Sequence, residues 1–130
     1  MDNGYGSINI MLNIKIKGTN VVVEEELKDY LFKKLNFLEK FIKNEDALCE
    51  VELAKITNHH KQGEIYKAEI HLSFAHNDHY ADAEADDLYT AIDLVRENIE
   101  RSVVSKKKKY MDVWRRGAGK IKDIIKRIRN

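Results

Sequence analysis

The chain has 130 residues, a mass of 15.2 kDa and 43% hydrophobic residues, enough for one domain with a real core and too few for two ordinary ones. No run approaches the ~20 apolar residues of a membrane span, the N-terminus lacks the basic and apolar regions of a secretory signal, and a lone cysteine, Cys49, excludes an internal disulfide and a thiolate metal cage. The net charge of +1 conceals an asymmetry: residues 101–130 carry twelve Lys and Arg against two acids, a net of +10, whereas residues 1–100 carry eleven against twenty, a net of −9.

These features predict a cytosolic protein in a reducing compartment, with an acidic body and a basic end that suits a polyanionic partner. Residues 1–7, rich in Gly, Asn and Ser, read as a disordered leader. From Ile8 to Lys17 apolar and polar residues alternate, with Ile8, Ile10, Leu12, Ile14 and Ile16 on one side, which predicts a strand ended by Gly18-Thr19-Asn20. A period near 3.6 then joins Leu27, Leu31, Leu35, Leu38 and Ile42 and predicts one amphipathic helix from about Val23 to Lys43. Its first turn holds Glu24, Glu25 and Glu26, which suit the helix dipole, but no good N-cap residue precedes them.

After the turn Asn44-Glu45-Asp46, a second strand alternates through Ala47, Cys49, Val51 and Leu53 toward Ile56. A polar loop from Thr57 to Gly63 leads to a third strand through Tyr66, Ala68, Ile70, Leu72 and Phe74. His76-Asn77-Asp78-His79 reads as a turn before a short fourth strand in which Ala81, Ala83 and Ala85 face inward and let a helix approach closely. Asp86 or Asp87 caps a last body helix, with Leu88, Ile92, Val95, Ile99 and Val103 at helical spacing until Lys106-Lys107-Lys108-Lys109 begins. The predicted fold is α+β, a βαβββα two-layer sandwich over residues 8–109 with a four-stranded sheet and both helices on one face. Residues 110–130 form a separate basic amphipathic helical tail, with Met111, Val113, Trp114, Ala118, Ile121, Ile124, Ile125 and Ile128 on one half and cations on the other. Gly117 and Gly119 suggest a hinge within it.

Motifs of catalysis are absent: there is no glycine-rich phosphate loop, no G-x-S-x-G turn and no H-E-x-x-H pair. His59, His60, His71, His76 and His79 lie in the central third without carboxylates or thiolates at a ligand spacing, and they read as surface and strand-face histidines. Cys49 reads as a small buried hydrophobe, and Glu50 and Glu52 as the soluble face of a strand. No enzyme, cofactor or metal is expected.

The basic residues carry more signal. Lys28, Lys33, Lys40 and Lys43 fall opposite the apolar stripe of the first helix, Lys34 projects toward its edge, and Arg101 and Lys108 point away from the core face of the second. Such helices could track a phosphate backbone, although Glu25, Asp29 and Glu39 share the first helix's outer face. Charge alone leaves nucleic-acid binding and an ordinary solvated face open.

The order of elements and four local stretches resemble the ribosome hibernation promoting factors, also called ribosome-associated inhibitors or ribosomal subunit interface proteins. The stretches are Leu12-Asn13-Ile14 with Gly18-Thr19-Asn20-Val21; Leu27-Lys28-Asp29-Tyr30 with Lys34-Leu35 and Leu38-Glu39-Lys40-Phe41; Lys67-Ala68-Glu69-Ile70; and Asp87-Leu88-Tyr89-Thr90-Ala91-Ile92-Asp93 leading to Arg101. The last is close to the family's D-x-Y-x-A-I-D signature.

The resemblance implies a domain similar to double-stranded-RNA-binding domains that occupies the mRNA and tRNA channel of the small ribosomal subunit and stores inactive ribosomes under stress or starvation. It also implies contacts from both helices to 16S rRNA and whole-ribosome binding, with no DNA partner. By position it points to Lys28, Lys34, Lys40, Lys55, Arg101, Lys106, Lys107, Lys108 and Lys109 as phosphate contacts, and to Tyr89 as a ring or hydroxyl offered to RNA. Lys33 and the tail's Arg115 and Arg116 complete the expected rRNA-binding set.

Asn98 stands where many members have lysine, and Glu24 replaces the usual capping threonine. The 21 residues after Lys109 are too few for the dimerising domain of long members, so the short class is expected. The tail is expected to supply rRNA attraction that the acidic body lacks. An anionic membrane is a second reading of the tail, ranked behind the ribosome, and a weak homo-oligomer through paired tails is a third.

Overall fold

The computed structural model describes residues 12–42, 46–56, 63–74 and 76–129, and within the last helix the side chains through Gly117 except Tyr110. Four strands form one sheet in the order β1-β2-β3-β4: β1 (Leu12–Thr19), β2 (Ala47–Ile56), β3 (Ile65–Phe74) and β4 (Asn77–Ala85). β1 and β2 pair in parallel, and the other two pairings are antiparallel. The parallel step requires a crossover, which α1 (Glu25–Leu35), a 3-10 turn (Asn36–Leu38) and α2 (Glu39–Ile42) supply. The long α3 (Leu88–Arg129) follows β4 and lies over β4 and β3 beside α1. The expected βαβββα order is therefore present; the part of the first predicted strand from Ile8 to Met11 lies outside the described residues.

Alternation dictates the core. Cys49, Val51 and Leu53 of β2 and Ala68, Ile70 and Leu72 of β3 are buried, as are Leu27, Leu31, Leu35, Leu38 and Ile42 of the crossover and Ala91, Ile92, Val95, Ile99 and Val103 of α3. Burial pushes the Cys49 thiol up to about 12, so it remains protonated and behaves as the small hydrophobe expected. Gly18 closes β1 where a side chain could not fit: a Cβ there would meet the Val21 carbonyl oxygen at 2.7 Å.

Three local expectations change. The single helix over 23–43 is interrupted at Asn36–Leu38, where the tighter 3-10 winding lets the consecutive Phe37 and Leu38 both be buried. The four-residue turn at 76–79 shortens, because β4 already begins at Asn77; His76 takes the left-handed conformation, φ 60°, that turns the chain. His79 consequently lies in the sheet, only 3% exposed. It stacks on Phe74 with ring centroids 5.6 Å apart and hydrogen-bonds Ser102 Oγ through Nδ1 at 3.0 Å. Reading it as a surface histidine fails because the sequence gives no sign that α3 would cover the start of β4.

Glu24 precedes α1 without a side-chain cap, as expected. At α3 the cap is Asp87: its Oδ1 accepts the Thr90 backbone N–H and its Oδ2 the Thr90 hydroxyl, both at 2.8 Å, and these bonds hold its carboxyl below the usual aspartate range. The tail is helical, as expected. It continues α3 without the break proposed at Gly117 and Gly119.

Two outcomes follow. Ile92→Ala empties a fully buried site and should cost about 2–5 kcal/mol in urea unfolding. Burial and the nearby Lys106 depress the His79 pKa, so the folded chain takes up its proton less readily than the unfolded one. Stability should be intact above the ordinary histidine value of about 6.5 and fall as pH drops below it; in His79→Gln the urea midpoint should lose that part of its pH dependence.

Candidate nucleic-acid interface

α1 and α3 meet along a ladder of side-chain contacts. Tyr30 of α1 donates its hydroxyl proton to Asp93 Oδ1 of α3, and its ring meets Tyr89 edge-on at 4.9 Å. Farther along, Arg96 lies over the Phe37 ring at 4.6 Å, and Lys107 over Phe41 at 5.4 Å. Because the partners advance together in sequence, the two helical segments run in the same direction, with both N-terminal ends at one edge of the body; α2 ends toward the other, and α3 passes beyond it.

The signature stretch now has physical content. Asp87 caps, Ala91 and Ile92 are buried, and Asp93 binds Tyr30 and, at 3.3 Å, the Lys34 ammonium. Hydrogen bonding to Asp93 raises the Tyr30 pKa, and the same bond and charge raise that of Lys34.

The expected phosphate contacts divide into two groups. Lys28 is half-buried and 3.9 Å from Glu25, Lys34 is held by Asp93, and Lys55 pairs with Glu64 at 2.5 Å. Lys28 thus lies at an edge of α1 and not on its outer arc: one position past Leu27, it turns only ~100° from a buried residue. Lys33, Lys40, Arg101, Lys108, Lys109 and Arg115 are exposed, and no salt bridge joins them to a described residue. Lys106 donates to the Asp78 carbonyl oxygen at 3.0 Å, Lys107 stacks on Phe41, and Arg116 donates weakly to the Asp112 carbonyl at 3.4 Å; all three leave their charge uncancelled. Lys43 lies outside the described residues.

The helical layer is therefore polarised. Glu24, Glu25, Glu26, Asp86 and Asp87 crowd the N-terminal edge, where Glu24, Asp86, Asp87 and Glu64 line an open cleft beside Tyr89. The free cations gather toward the C-terminal edge and along the helix that leaves it. The acids at both N-termini also suit the helix dipoles. Tyr89, 42% exposed, offers a ring beside an acidic cleft, an arrangement suited to stacking on a base more than to meeting phosphate. The opposite, open face of the sheet carries Glu50, Glu52 and Glu69 against Lys15 and Lys17, with Lys67 bound to Glu69 at 2.9 Å, and offers a polyanion no continuous positive surface.

Sequence reasoning missed Tyr30 and Arg96 as organisers of this layer. The i,i+4 spacing of Arg96 and Glu100, which pair at 2.7 Å, was the available signal for one of them. Asn98, at the position where lysine was anticipated, donates to the Asp82 carbonyl oxygen at 3.3 Å and so faces the sheet edge. Among the described residues no three His, Cys, Asp or Glu side chains converge as a metal site, and no helix is long and apolar enough to cross a membrane.

Comparison with known proteins agrees with this architecture. Residues 14–111 match the family described as Sigma 54 modulation protein / S30EA ribosomal protein. A ribosome hibernation promoting factor of Azotobacter vinelandii is 29% identical over 101 residues, spanning 78% of this chain and 88% of the relative. The crystal structure of the Protein Y N-terminal domain of Thermus thermophilus superposes with a TM-score of 0.59 at 25% identity, covering 70% of this chain and 94% of that one. A ribosomal subunit interface protein of Coxiella burnetii shares the fold, with a TM-score of 0.61 at 19% identity over 74% of this chain and 98% of that one.

The clamp between the helices can be read out in solution. Replacing Asp93 with Ala should return one raised tyrosine to the ordinary phenol range in an alkaline absorbance titration, while costing no more than about 1 kcal/mol, because the site is half exposed. An unchanged titration would show that Tyr30 does not hold this contact.

Proposed function

The chain belongs to the Sigma 54 modulation protein / S30EA ribosomal protein family, a family of ribosome-associated factors, and from that premise we propose that it is a translation-silencing hibernation factor. In this reading the folded domain enters the mRNA and tRNA channel of the small ribosomal subunit, contacts 16S rRNA, and stores inactive ribosomes in the cytoplasm during stress or starvation. The mechanism is occupancy: no bond is made or broken.

The observation that carries the reading is the segregation of charge on the helical layer. Lys33, Lys40, Arg101, Lys108 and Lys109 are exposed without a carboxylate partner among the described residues, and Lys106 and Lys107 add charge at the same edge. Each phosphate they neutralise releases condensed counterions, so affinity draws on salt-dependent entropy and needs no base sequence. Tyr89 adds a stacking surface for an unpaired base. Lys28, Lys34 and Lys55 contribute less, since binding phosphate requires each to give up a carboxylate first. Names of relatives that refer to ribosome hibernation and the ribosomal subunit interface support the assignment.

Sucrose-gradient sedimentation with whole ribosomes and separated subunits tests it. The protein should travel with the small subunit and the whole ribosome, and a saturating amount should stop cell-free translation. Recovery only at the top of the gradient contradicts the reading. Arg101→Gln and Lys108→Gln should each weaken binding and reduce the salt slope by about one, whereas Lys55→Gln, already neutralised by Glu64, should change it little.

A further inference from the structure

α3 is longer than the body it packs on. Its 42 residues extend ~63 Å at ~1.5 Å per residue, whereas the nine residues of β4 span only ~30 Å. The last of its described residues to be buried is Val103. At the edge of the body Lys106 binds the Asp78 carbonyl and Lys107 covers Phe41, so two lysines close the core. Beyond them the apolar pattern resumes. At ~100° per residue, positions 113, 114, 121, 124, 125 and 128 continue the arc that Ile92, Val95, Ile99 and Val103 bury higher up; the sequence places Val, Trp and four Ile there.

Among the described residues nothing covers the described part of this second stripe: Val113 is 61% and Trp114 66% exposed, with Met111 beside them at 43%. A partner outside the fold has to cover it, and the surroundings define that partner. RNA phosphate would satisfy the flanking cations and leave Trp and Ile in water. A second copy would bury the stripe but bring two segments of net +10 within ~10 Å of each other, about one Debye length at ordinary salt. An anionic lipid surface satisfies both faces at once, taking the apolar arc at its acyl boundary and the cations on its headgroups. The same surface repels the body's net −9, which orients the molecule with the tail down and the domain away.

We propose that residues 104–129 form an interfacial membrane-binding helix specific for anionic lipid. The helix lies on the bilayer without crossing it, and it shares Lys106–Lys109 with the proposed rRNA-binding edge.

Trp114 is the only tryptophan, so the intact protein carries its own probe. Vesicles of phosphatidylcholine and phosphatidylglycerol in equal parts should shift its emission to the blue and carry the protein upward in flotation. Pure phosphatidylcholine vesicles should bind at least about tenfold more weakly, and added salt should weaken the anionic interaction. Val113→Glu, at a position exposed enough to leave the fold unaffected, should lower the affinity by about tenfold or more while the circular dichroism spectrum and urea midpoint stay unchanged. Absence of both shift and flotation with anionic vesicles overturns the proposal. So does a shift that grows with protein concentration in buffer alone, with doubled mass in light scattering, which assigns the stripe to a second copy. A shift produced by an RNA oligonucleotide and not by vesicles overturns it in favour of RNA.

Discussion

The burial of one stripe of α3 against β3 and β4 organises the rest of this protein. Ala91, Ile92, Val95, Ile99 and Val103 are all essentially inaccessible, and full burial of a Val or Ile side chain stabilises by ~1.5–3 kcal/mol. The polar and cation–π contacts around them are worth ~1 kcal/mol or less each on an exposed surface. Packing therefore sets the position of α3, and the surface contacts take the geometry it offers. Alanine at position 81, buried on β4, keeps the helix close to the sheet, and this closeness brings Asp93 to Tyr30, Arg96 to Phe37 and Lys107 to Phe41.

That geometry sorts charge as a by-product. With α1 and α3 parallel, both N-termini with their acids lie at one edge, and the exposed lysines of both helices lie toward the other. A single-residue view would count Lys28, Lys34 and Lys55 as equal to Lys108 and Lys109. The fold distinguishes them, because carboxylates of Glu25, Asp93 and Glu64 already occupy the first three. Only the second group presents a field that reaches into solvent, and the basic helix continues from the same edge. The acidic open sheet face completes the asymmetry, leaving one side of the molecule suited to a polyanion.

The same constraint explains why α3 has two lives along its length. Up to Val103 its apolar arc is part of the core; past Lys106 and Lys107 the arc returns with no sheet beneath it. An isolated helix is marginal in water unless a surface covers its apolar face, so the tail's conformation and its partner are linked. In the readings proposed above, the body's cations serve phosphate in a groove and the tail's apolar face serves a lipid surface.

Period-two and period-3.6 patterns in the sequence determined the strands, the helical segments and nearly all of the core, because side-chain direction follows backbone repeat regardless of context. They also determined the buried, inert Cys49 and narrowed the α3 cap to Asp86 or Asp87, between which the structure chose Asp87. Tertiary structure alone decided that Lys34 is not free, since its partner Asp93 lies on another helix far along the chain and no local pattern encodes that pairing. It decided that His79 is buried, because covering the start of β4 depends on where α3 lands. It decided the 3-10 break at Asn36, where two adjacent apolar side chains had to reach one core. And it decided where the body stops along α3: a helical pattern states which side of a helix is apolar, but only the reach of the sheet beneath it sets how much of that side is covered.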